Sequence, residues 1–167
     1  PVLLRVTDYL SFRIKQINES FFRAIKEVGY KGYYKGVFPV KVNQQAQVID
    51  RIVDFGKEFD FGLEVGSKPE LLIALAHDLS SESTIICNGI KDREFINLAI
   101  LSLKIGFKTI LVLESPRELD LIIKVSQELN VKPLLGIRIK LTNKVSGNWS
   151  QSSGDRSAFG MSVEQVM

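Results

Sequence analysis

A lysine follows directly on an apolar run: Val37, Phe38, Pro39 and Val40 lead to Lys41, and Asn43-Gln44-Gln45 then turns the chain into an amphipathic stretch over 46–55. This pattern predicts a buried strand with Lys41 near its C-terminal end, followed by a helix. In parallel α/β architectures that end of a strand is where active-site side chains emerge. An ammonium group there is costly unless it is paired, reaches solvent or is partly neutralised. A desolvated lysine has a lowered pKa and becomes an amine nucleophile able to form a Schiff base with a carbonyl. Spacing alone favours the plainer alternative, a lysine that snorkels from a strand end. Pro39 donates no N–H, which predicts a bulge or strand end that helps aim Lys41.

Little else in the composition suggests a specialised surface. With 167 residues, 45% hydrophobic and 25% charged, the chain can build one well-buried soluble domain but not two comfortable ones. The 22 basic residues are scattered among 19 acids for a net charge of +3, which implies neither a nucleic-acid nor a membrane partner. No apolar run approaches the roughly 18 residues of a transmembrane helix, and no signal-peptide pattern stands at the start. The first residue is Pro1, so the chain is expected to begin inside a longer protein or after processing. A single cysteine, Cys87, suits a reducing, cytoplasmic compartment.

The elements that must position Lys41 follow a repeating pattern. Leu10, Ile14, Ile17, Phe21, Ile25 and Val28 fall on one helical face between a cap at Thr7 or Asp8 and Gly29. After the Lys41 strand and its helix, strands are predicted at 59–65, 84–87, 108–113 and 132–141. Helices are predicted from Ser67, with Glu70 at the capping-box position and Leu71, Leu72, Leu75 and Leu79 as its stripe, over 92–104, and from Ser115, with Pro116 at N1 and the acid Glu118 in the first turn, to about 129. Strands apolar on both faces argue for a parallel sheet covered on each side. A doubly wound fold expects a glycine-rich turn after its first strand, and Asn43-Gln44-Gln45 has no glycine. A (β/α)8 barrel has no such requirement, although five strands do not close one. The stretch 142–156 reads as a long polar loop anchored by Trp149, and 163–167 as the first turn of a helix.

Five blocks taken together resemble a known family: Phe38-Pro39-Val40-Lys41-Val42-Asn43-Gln44-Gln45, Phe61-Gly62-Leu63-Glu64-Val65-Gly66-Ser67-Lys68-Pro69-Glu70-Leu71, Ile85-Ile86-Cys87-Asn88-Gly89-Ile90-Lys91-Asp92, Leu135-Gly136-Ile137-Arg138-Ile139-Lys140-Leu141 and Ser152-Ser153-Gly154-Asp155-Arg156-Ser157-Ala158-Phe159-Gly160. In this order they are similar to the biosynthetic arginine decarboxylases, pyridoxal-phosphate enzymes of the alanine-racemase and ornithine-decarboxylase barrel type. The resemblance implies an α/β fold, a partial parallel (β/α)8 TIM-type barrel with about five strands. Residues 1–33 would form its leading helix and 34–167 its first part.

It further implies that Lys41 holds pyridoxal phosphate covalently, that Glu64 lies close to the cofactor and its Schiff base, and that Arg138 ends a strand near the cofactor ring. Asn88 is expected to bind only a loop backbone, His77 to be a surface residue, and Cys87 to play no catalytic part. The family's stacking histidine, glycine-rich phosphate segment, acid paired with the pyridine nitrogen and C-terminal β domain have no counterpart in these blocks. The implied activity is decarboxylation of L-arginine to agmatine and CO2 in polyamine (spermidine) biosynthesis. The implied protein is a cytoplasmic homo-oligomer, dimer or tetramer, with Mg2+ as a further cofactor, although no acid cluster marks a magnesium site. Decarboxylases of lysine, ornithine or diaminopimelate share Lys41 and the barrel, and a non-catalytic barrel that only binds the cofactor is the alternative from another class. The 167 residues alone are expected to be inactive.

Overall fold

In the computed structural model, which describes residues 6–140 and 159–167, helices and strands alternate as the periodicity predicts. Helix α1 (Asp8–Val28) leads, and Gly29 ends it in the left-handed conformation at φ 65°. Then come β1 (Val37–Pro39), α2 (Ala46–Gly56), β2 (Gly62–Val65), α3 (Lys68–Leu75), β3 (Thr84–Cys87), α4 (Arg93–Lys104), β4 (Lys108–Leu113), α5 (Pro116–Leu129), β5 (Leu134–Ile137) and the short α6 (Val163–Val166).

The five strands form one parallel sheet in the order β1-β2-β3-β4-β5. A doubly wound sheet reverses its strand order at a switch point, and this one does not. Because parallel crossovers are almost always right-handed, an unreversed order sends every connecting helix to the same face. The opposite face is left concave, which is the geometry of a barrel wall. Burial follows that asymmetry. Ile85 and Cys87 of β3 and Thr109, Leu111 and Leu113 of β4 are buried, while Ile86, Ile110 and Val112, which alternate with them, are only half-buried. The core between sheet and helices holds Leu63, Val65, Ile85 and Leu111 against Ile49, Leu71, Phe95, Ile96, Ile100 and Ile122. Each such side chain contributes about 1.5–3 kcal/mol on burial.

Several expectations are corrected. The strands are not covered on both faces; β2 is buried throughout, but Leu134, Leu135 and Ile137 of β5 are 44–50% exposed, because these five strands leave the concave side open. The second strand begins at Gly62 rather than at 59. A 3-10 turn over Lys57–Phe59 extends α2, and Asp60 at φ 52° redirects the chain. Strands β2 and β3 lie so close at this point that a Cβ on Gly62 would stand 1.9 Å from the Thr84 carbonyl oxygen. The apolar stripe of α1 is mostly uncovered, with Ile14 buried but Ile17, Phe21 and Val28 exposed; Phe21 stacks on Tyr34 at 3.9 Å between ring centroids. Leu72 likewise points outward, and Ala74 fills the buried position beside Leu71.

The fifth strand is shorter than 132–141, but Ile139 beyond it makes an isolated parallel bridge to Met161. Two 2.8 Å bonds, Lys140 N–H to the Met161 carbonyl and Met161 N–H to the Arg138 carbonyl, dock the returning segment on the β5 side. The expected polar loop 142–156 with Trp149, and most of the block 152–160, lie outside the described residues. Helix α6 opens with a capping box between Ser162 and Gln165.

Candidate active site

Strand β1 stops at Pro39, and Lys41 sits in the 3-10 turn Val40–Val42 that follows. The proline thus marks a strand end. Val40 is fully buried and fixes the turn against the core, while Lys41 points outward into solvent. The lysine is therefore exposed rather than desolvated, because the concave face is open where it emerges. Among the described residues its Nζ has no hydrogen bond or ion pair. The Asn43 side chain accepts the Gln45 N–H at 3.1 Å and starts the turn into α2.

Lys41, Glu64 and Arg138 line one open cleft of about 950 Å³ on the concave face, together with Asn88, Gly89, Val112 and Phe159. The three sequence-predicted site residues are thus brought together although 97 positions separate the first from the last. Register accounts for the first two, since Pro39 lies opposite Glu64 in adjacent parallel strands, while Arg138 follows the C-terminal end of β5. Glu64 is only 8% exposed, not an exposed acid at a strand end. Its Oε1 accepts from Asn88 Nδ2 at 2.9 Å. The Asn88 side chain therefore holds Glu64 and not a loop backbone; its own N–H supplies the backbone bond, to the Val65 carbonyl at 2.8 Å.

Arg138 follows β5, donates from Nη1 to Glu114 Oε1 at 3.1 Å and lies over the Phe159 ring at 5.2 Å. Glu114 escaped the sequence reading. Its side chain is 1% exposed, and it also accepts the N–H of Gly89 at 2.8 Å and of Gly160 at 2.9 Å. The available signal was an acid directly after an apolar strand, the same pattern that marks Glu64. A second buried pair stands behind it. Lys91 Nζ donates to the carbonyls of Gly89 (2.6 Å) and Val112 (2.5 Å) and pairs with Glu118 at 3.2 Å. Glu118 in turn accepts the N–H groups of Lys91 and Glu114. The acid read as a first-turn helix charge is thus a buried tie between two strand ends.

Cys87 is buried in β3, and burial pushes its thiol up to about 12, against the weaker pull of Lys91. His77 lies just past α3, half-buried, with Nδ1 2.6 Å from the Ile73 carbonyl and Nε2 3.0 Å from Asp50; it is not among the residues lining the cleft. Among the described residues no three His, Cys, Asp or Glu side chains gather to hold a metal ion, and no helix is long and apolar enough to cross a membrane.

The family model of the pyridoxal-dependent decarboxylases' pyridoxal binding domain matches residues 14–167. The chain belongs to this family. Curated members similar to it include the biosynthetic arginine decarboxylases of Prochlorococcus marinus strain MIT 9301, 50% identical over all 167 residues, and of Gloeobacter violaceus, 48% identical over the same length. The chain spans 26% of the length of these relatives. The crystal structure of the biosynthetic arginine decarboxylase of Campylobacter jejuni superposes with a TM-score of 0.78 at 38% identity, covering 81% of this chain and 23% of that one. The sheet of this pyridoxal-binding domain is accordingly part of a TIM-type barrel, which agrees with its unreversed strand order.

Proposed function

We propose that this chain is the part of an L-arginine decarboxylase that binds pyridoxal phosphate, with Lys41 carrying the cofactor and arginine going to agmatine and CO2. The arginine assignment is supported by the names of the relatives; the cofactor role of Lys41 is supported by its amine, which has no partner among the described residues, in the same cleft as Glu64 and Arg138. A primary amine, a carboxylate and a guanidinium around one open cleft form a donor set that fits an aldehyde bearing anionic groups. Bound there, the cofactor supplies an electron sink for the pair left on the substrate's α-carbon when the carboxylate departs.

The chain's own residues do the rest. Lys41 would hold the cofactor through its amine, and whenever that amine is released Nζ would stand ready to move a proton at the substrate's α-carbon. Glu64, fixed by Asn88, would present negative charge to the cofactor on the β2 side of the cleft. Arg138 presents positive charge on the β5 side. The parent protein is read as a cytoplasmic homo-oligomer, with the buried, solitary Cys87 suiting a reducing compartment. Magnesium, which the resemblance also implies, finds no acidic donor cluster among the described residues.

Borohydride reduction of the full-length holoenzyme, followed by peptide mapping, tests the site: the pyridoxyl group is expected on Lys41. Label on Lys35, Lys68 or Lys91 instead would overturn it. Release of CO2 from arginine, compared with lysine, ornithine and diaminopimelate, tests the substrate.

A further inference from the structure

We propose that Glu114 is a positioning residue that sets where the Arg138 guanidinium stands in the cleft. The proposal rests on the reading that Arg138 faces the cofactor. The pair is asymmetric: the Glu114 side chain is 1% exposed and that of Arg138 is 47% exposed. Both carboxylate oxygens are committed to backbone donors, Oε1 to the Gly89 N–H and Oε2 to the Gly160 N–H. Gly89 itself has little freedom to shift. It stands at φ 74°, a Cβ there would meet the Gly66 carbonyl oxygen at 2.6 Å, and its carbonyl accepts from buried Lys91. The carboxylate therefore cannot follow the guanidinium, so the guanidinium follows the carboxylate.

The other restraints on Arg138 act in the same sense. Its carbonyl accepts the Met161 N–H, and its guanidinium carbon lies over the Phe159 ring. A guanidinium has five N–H donors in a planar fork, and the anchored bond at Nη1 limits where the remaining donors can stand in the cleft. Glu114 thus acts through Arg138, across the ends of β4 and β5. Only structural support for the Gly89 and Gly160 segments is the competing role.

The test is a double-mutant cycle on cofactor affinity, measured by titrating the full-length apoenzyme with pyridoxal phosphate and following absorbance. Glu114→Gln and Arg138→Ala are each expected to weaken affinity roughly tenfold, the scale of a charged hydrogen bond, and the double variant no more than either single one. Arg138→Lys, which leaves Glu114 untouched, keeps the charge but loses the fork and is expected to weaken affinity as well. Roughly hundredfold loss in the double variant, or wild-type affinity in Arg138→Lys, would overturn the proposal, the first showing that Glu114 acts independently and the second that charge without orientation suffices. Unchanged affinity in Arg138→Ala would also overturn it, while Lys41 labelling reports separately whether the cofactor site stands.

Discussion

Asn88 Nδ2 donates to Glu64 Oε1 across 2.9 Å, joining the ends of β3 and β2 beneath the cleft. The bond fixes one oxygen of a nearly buried carboxylate, and this predicts different outcomes for two substitutions. Glu64→Gln keeps an acceptor for Asn88, so thermal unfolding of the full-length enzyme should move by less than about 1 kcal/mol while kcat falls. Asn88→Ala removes the restraint but leaves the charge; it should lower kcat less than Glu64→Gln does and shift the pH dependence of turnover. Steady-state kinetics over pH 6–10 separates the two.

Lys91 and Glu118 form a pair with side chains 0% and 6% exposed. Removing one member strands the other as a buried charge, so Lys91→Met or Glu118→Leu alone should cost about 3–5 kcal/mol. The double replacement should cost clearly less than the sum of the two. Urea unfolding of the full-length protein checks this, and equal, additive losses would show that the pair is not coupled.

The Asp92 carboxylate is held below the usual carboxylate range, first by Lys68 Nζ at 2.8 Å and then by the Phe95 N–H that it caps. A folded pKa below the unfolded one means stability that is fully present above the unfolded value and lost as pH falls through the folded one. The melting-temperature gap between wild type and Asp92→Ala should therefore be constant near neutrality and narrow below about pH 4. A gap that widens in acid would contradict the assignment.

Residues 1–167 expressed alone should aggregate and release no CO2 from arginine. Leu134, Leu135 and Ile137 of β5 are 44–50% exposed, and an edge strand with exposed apolar side chains recruits other chains. Light scattering on refolding, and a radiolabelled CO2 assay on the soluble fraction, measure both.

The elements were legible because their signals are local. Ser67 and Gly29 sit where the caps were expected, and Lys41 announces itself as the lysine after an apolar run. The ties that build the site were not, because they join residues far apart in sequence. Asn88 meets Glu64 across 24 positions, and Glu114 meets Gly160 across 46. Such pairs depend on strand register, which no single stretch encodes. Glu118 misled for the same reason: an acid in a helix's first turn normally serves the helix dipole, and only the approach of Lys91 turns it inward. The apolar residues of α1 and β5 misled in another way, since periodicity says which face is apolar but not whether anything covers it.

The sheet order has a consequence for how the protein is made. Each of β2 to β5 hydrogen-bonds to the strand synthesised just before it, so no pairing within this sheet has to wait for a distant partner. Each newly emerged helix–strand unit can add to an edge already formed, and the order of assembly can match the order of translation. Throughout that interval the growing edge is the most recently added strand, which makes β5, while it waits for its next neighbour, the point where a nascent chain most needs protection.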